Sequence, residues 1–112
     1  MDNLDFKTLE QIHHFRKFEH VNNVDVYDKF KNWVIGEFDL YLKNDESKEL
    51  KVYFPGGRFT ILTLDDQGTT KIEINISGKS RKACWQVMNQ LEKIYAHVSY
   101  FLQSETRQCI SL

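Results

Sequence analysis

Hydrophobic residues change their spacing several times along the chain, and each change predicts an element. In residues 3–18, NLDFKTLEQIHHFRKF, Phe6, Leu9, Ile12, Phe15 and Phe18 recur at every third position. A strict period of three drifts around a helix of 3.6 residues per turn, so it predicts a helix to about residue 14 and a change of conformation beyond. Residues 21–33 carry two patterns. Val24 and Val26 alternate as in a strand, whereas Val26, Phe30 and Trp33 match a short helix after Asp25.

From residue 34 the period becomes two. Val34, Gly36, Phe38, Leu40 and Leu42 fall on one side of a predicted strand, with Ile35, Glu37, Asp39, Tyr41 and Lys43 on the other. KNDESKE, 43–49, reads as a polar loop. LKVYF then alternates with Leu50, Val52 and Phe54 inward, and Pro55-Gly56-Gly57 predicts a turn, since proline presets one corner and glycine supplies positive φ. RFTILTL, 58–64, is more continuously apolar, as a central strand is. After the turn DDQGT, TKIEINI places Ile72, Ile74 and Ile76 inward.

The longest predicted element is a helix from Ser80 to Gln103. Cys84, Met88, Leu91, Tyr95, Val98 and Leu102 recur at alternating intervals of four and three, flanked by Trp85, Ile94 and Phe101, so one broad face is apolar. The expected architecture is α+β: an N-terminal helix, a four-stranded antiparallel meander and a long C-terminal helix packed across the sheet. Without repeats or a Pro/Gly/Ser-rich linker, residues 1–112 read as a single globular domain.

Composition narrows the function classes. The formal net charge of −1 is unevenly spread: residues 1–50 hold 11 acids against 7 Lys and Arg, and residues 51–112 hold 5 against 8. A duplex-binding protein carries a pronounced basic stripe, which is absent here. No apolar run approaches the roughly 18 residues of a membrane span, and MDNLDFKTLEQ lacks the basic and apolar regions of an export signal, so a cytoplasmic protein without membrane association is expected. Of two cysteines, Cys84 reads as a buried free thiol and Cys109 opens the terminal CISL. That tetrapeptide formally matches a prenylation box, but Ser111 is not aliphatic and SETRQ before it is not polybasic.

The candidate chemistry is sparse. Gly78-Lys79-Ser80 has the ending of a phosphate-binding loop, yet Glu73 stands where the first glycine is required, and a carboxylate there repels phosphate. His13, His14, His20 and His97 lack a third ligand at metal-binding spacing, so neither a metal nor a cofactor is expected. No nucleophile elbow surrounds Ser77, Ser80 or Ser104. Lys79, Arg81 and Lys82 stand at a helix start that prefers acids; either they pair with Asp65 or Asp66 in the preceding turn, or they await an anionic partner.

These features point to a protein without enzymatic activity that occludes a partner protein, in the manner of a toxin-neutralising immunity protein, antitoxin or similar inhibitor. A basic toxin or nuclease suits the acidic first half. The candidate partner-binding residues are Glu37, Asp39, Tyr41, Tyr53, Arg58, Lys79, Arg81 and Lys82. The alternative is single-stranded nucleic acid, held by the exposed sheet face and the basic start of the last helix. Tyr100, Phe101 and Leu102 near the end of that helix are compatible with a homodimer contact.

Overall fold

The computed structural model describes residues 12–21, 24–66 and 69–111. Seven elements follow in order: β1 (His13–Val21), α1 (Val24–Glu37), β2 (Lys43–Glu46), β3 (Glu49–Phe54), β4 (Gly57–Asp66), β5 (Thr69–Gly78) and α2 (Arg81–Ser111). The strands form one antiparallel sheet in the order β1-β5-β4-β3-β2. Both helices pack on one face of it. The architecture is α+β with an antiparallel sheet and a long C-terminal helix, as the patterning predicts, but with five strands rather than four.

Three predicted strands form with the expected faces. Leu50, Val52, Phe59, Ile61, Ile72, Ile74 and Ile76 are buried, and β4 occupies the centre of the sheet. At the β3–β4 turn Gly56 takes a φ of 82°, a conformation glycine adopts without strain. Gly57 lies so close to β5 that a Cβ there would stand 2.5 Å from the Ser77 carbonyl oxygen. The helix α2 starts after Ser80, whose Oγ accepts from the Ala83 N–H at 3.1 Å, an N-cap that satisfies one of the otherwise unpaired first-turn donors.

Two predictions fail between residues 34 and 49. The alternation from Val34 to Leu42 is not a strand: residues 24–37 are helical, with Tyr27, Phe30 and Val34 facing the core at helical spacing. Phe38 continues that stripe beyond the helix and meets Phe59 edge-on at 5.0 Å. Nor is 43–49 simply a loop, because Lys43–Glu46 pairs with β3 through its backbone and needs no apolar face to do so. Lys31 fixes α1 to this edge, its ammonium 2.7 Å from Asp45 and donating to the Glu46 carbonyl.

The predicted N-terminal helix falls mostly on residues 1–11, outside the described residues; its last positions, His13 and His14, instead begin β1. That strand turns Phe15, Lys17, Glu19 and Val21 toward the helices, opposite Ile76, Ile74, Ile72 and Thr70. The Lys17 ammonium donates to Glu92 of α2 at 2.7 Å and lies 3.3 Å from Glu19. Its hydrogen bond to Glu92 raises the lysine above its usual pKa, against the lowering effect of burial. Charge on the inner side of an edge strand also discourages pairing with a further strand.

Candidate interaction surfaces at one pole

Every element has an end at the same pole of the molecule. Phe54, Gly57, Gly78 and His13 stand opposite one another across β3, β4, β5 and β1, which places the β3–β4 turn, the β5–α2 junction and the start of β1 together. The Lys79 N–H donates to the Gly56 carbonyl, and the Tyr53 N–H to the Leu42 carbonyl, so the segment after α1 joins them. All eight candidate residues lie here, but on three different sides.

Tyr53 and Arg58 are directly opposed on the face of the sheet away from the helices. Lys79, Arg81 and Lys82 are exposed around the Ser80 cap. The proposed pairing of these cations with Asp65 or Asp66 does not occur. Those residues belong to the far end of β4, where Thr70 donates to Asp65, and the ten residues of β5 separate them from Lys79. Solvation, with the Ser80 cap on the N–H groups, makes the misplaced charge inexpensive, a few tenths of a kcal/mol per cation being the typical scale.

Glu37, Asp39 and Tyr41 form the third side, around the turn that follows α1. The strand prediction had placed Leu40 and Leu42 inward. Instead Leu40 is 93% and Leu42 73% exposed, because the helix ends at Glu37 and the chain turns outward past Phe38. The turn is ordered from within: Lys43 Nζ donates to the Asp39 carbonyl at 3.1 Å and the Tyr41 carbonyl at 2.8 Å. Beside it lies a shallow depression of about 370 Å³, floored by Phe38, Phe54, Pro55 and Val87 and edged by Glu37 and Tyr41. No hydrophobic pattern announced these two leucines as surface residues; the helical spacing of Tyr27, Phe30, Val34 and Phe38 was the available signal.

Sequence reasoning also assigned Trp85 to the flank of the apolar face of α2. It is 55% exposed, tilted against Phe15 with ring centroids 6.3 Å apart, and shares a second shallow depression with Arg81 and Lys82.

Cys84 is a buried free cysteine, as the helix pattern predicts, and desolvation pushes its thiol up. His13 and His14 lie on opposite faces of β1, and His97 packs edge-on against Trp33 at 5.2 Å in the helical layer. Among the described residues no three His, Cys, Asp or Glu side chains come together as metal ligands. Among the same residues no helix is long and apolar enough to cross a membrane. No protein-family model matches the chain, and no curated protein matches it significantly.

Proposed function

We propose that this protein is a non-enzymatic binding module that recognises and occludes a partner protein, of the kind represented by immunity proteins, antitoxins and similar inhibitors. The observation that carries the reading is the exposed Leu40-Tyr41-Leu42 turn. A mobile loop hides its apolar residues intermittently, whereas this turn is pinned by Lys43 and holds two leucines in water.

Fully burying a leucine side chain is worth about 1.5–3 kcal/mol, so covering both supplies about 4 kcal/mol, or roughly a thousandfold in Kd. The neighbouring depression offers a socket for one apolar side chain of the partner, and Glu37 and Asp39 beside it favour a basic surface. The test is reconstitution with the purified protein that co-isolates stoichiometrically. Leu40→Ser with Leu42→Ser should weaken that complex by about two orders of magnitude or more while leaving the melting temperature unchanged, since neither residue is in the core. Glu37→Lys with Asp39→Lys should slow association most at low salt. Absence of any stoichiometric partner, or wild-type affinity in the leucine variant, refutes the reading.

A further inference from the structure

The opposite side of the pole supports a separate binding activity. We propose that the open sheet face binds single-stranded nucleic acid, laid across the strands and held by Lys51, Arg58 and Arg16 with Tyr53 as a stacking platform. This assignment is independent of the leucine turn, which lies beyond the helix side of the sheet.

The register fixes the arrangement. Tyr53, Arg58, Ser77 and His14 stand in one row across β3, β4, β5 and β1; Lys51, Thr60, Asn75 and Arg16 form the next. Strands lie about 4.8 Å apart, so each row runs about 14 Å. Thr60, Asn75 and Ser77 floor a shallow depression of about 460 Å³ rimmed by His14, Arg16 and Arg58. Arg16 donates from Nε to Asn75 at 2.9 Å and lies 3.2 Å from Glu73, with its side chain still 65% exposed. Arg58 and Lys51 have no ion-pair partner among the described residues.

The third row limits the site. Glu73 and Glu49 flank Leu62 there, and Glu46 lies opposite Glu49, so this row repels an anionic ligand and separates the two upper rows from Lys71 in the row beyond. Phosphodiesters match cations set on three strands with hydroxyl and amide groups between them, and an unpaired base matches the exposed Tyr53 ring. An acidic peptide needs an apolar socket or a free strand edge. Of the strands in these rows only β1 has a free edge, and an acidic peptide added there would lie beside Arg16 but two and three strands away from Arg58 and Lys51.

The experiment is fluorescence anisotropy of the full chain with labelled dT12 at about 50 and 200 mM salt. Three neutralised phosphates give a log–log slope of about −2, hence about a 20-fold loss of affinity between the two conditions. Arg58→Ala and Lys51→Ala should each reduce that loss to about 7-fold. Tyr53→Ala should weaken binding about equally at both salts, and Arg81→Ala with Lys82→Ala should leave the titration as in the wild type. No binding at low salt overturns the proposal, as does octaglutamate competing as well as unlabelled dT12. Loss of binding in the Arg81/Lys82 variant with Arg58→Ala unaffected also overturns it, by moving the site to the helix start. Because Arg58→Ala spares the leucine turn and Leu40→Ser spares the rows, either reading can fail without the other.

Discussion

Tyr27 gives a prediction with two separate signatures. Its side chain is 1% exposed within the core, and its hydroxyl has no hydrogen-bond partner among the described residues. Leaving a buried hydroxyl unpaired costs about 1–3 kcal/mol on scales drawn from protein variants. Tyr27→Phe removes that oxygen and keeps the ring, together with the Lys31 ammonium 5.8 Å above it. The variant should therefore be more stable by about 1 kcal/mol at neutral pH, seen in urea as a higher midpoint with an unchanged m-value. The second signature is its pH dependence. Burial, reinforced by the carboxylates of Asp45, Asp28 and Glu49, pushes the phenol from 10.0 up to about 12. Below pH 10 the phenol is neutral in both states and contributes no slope. Between 10 and 12 the unfolded chain gives up a proton that the native chain retains, so the unfolded state binds fewer protons and stability falls as pH rises. From pH 9 to 11 this removes about 1 kcal/mol from the wild type and nothing from Tyr27→Phe, so the gap between them widens by that amount. A variant less stable than wild type at pH 7, or a gap that is the same at pH 9 and 11, refutes the reasoning.

Other positions test the packing account. Gly36 is exposed inside α1 with open space where a Cβ would stand, so Gly36→Ala should add about 0.5–1 kcal/mol in the same urea assay. Gly57→Ala should lose about 1–3 kcal/mol, because the new Cβ meets a backbone carbonyl of the β4–β5 ladder rather than a movable side chain. Lys17→Met removes inward charge from an edge strand and should promote concentration-dependent self-association in size-exclusion chromatography, and it should also lower monomer stability because Glu19 and Glu92 lose their shared cation. Cys84, buried with its pKa raised by desolvation, should resist iodoacetamide at pH 8 in the native protein and react in urea, as read by peptide mass spectrometry.

The sheet was legible where one face is greasy and the other wet. Leu50–Val52–Phe54 and Ile72–Ile74–Ile76 alternate because each side chain meets a different solvent, and the turn at Pro55-Gly56-Gly57 separates two strands that agree. Misreading began where two periods coincide. Val34, Gly36 and Phe38 satisfy an alternation, yet Phe30, Val34 and Phe38 also repeat every four residues, and core contacts decide for the helix. β1 was hidden for a different reason: Lys17 and Glu19 occupy its inner face, and Lys17 pairs with both Glu19 and Glu92, the latter on a helix 75 residues away, a partnership no local pattern reveals. β2 was hidden because its pairing is purely backbone. The candidate surfaces followed the same logic. Tyr53 and Arg58 were recognisable as outward residues of good strands, whereas the exposed leucines depended on knowing where α1 stops.

The sheet order has a consequence for how the chain assembles during synthesis. Residues paired between β1 and β5 are 49 to 65 positions apart, from Val21 with Thr70 to His13 with Gly78, while β2 through β5 are neighbours joined by short turns. The first of the five described strands to leave the ribosome is thus the last to find its mate. At about 5–20 residues per second it waits roughly 3–13 s for its partner to be translated. The lysine and glutamate that later face α2 put charge on that lone segment, and charge on an unpaired strand disfavours strand-to-strand association.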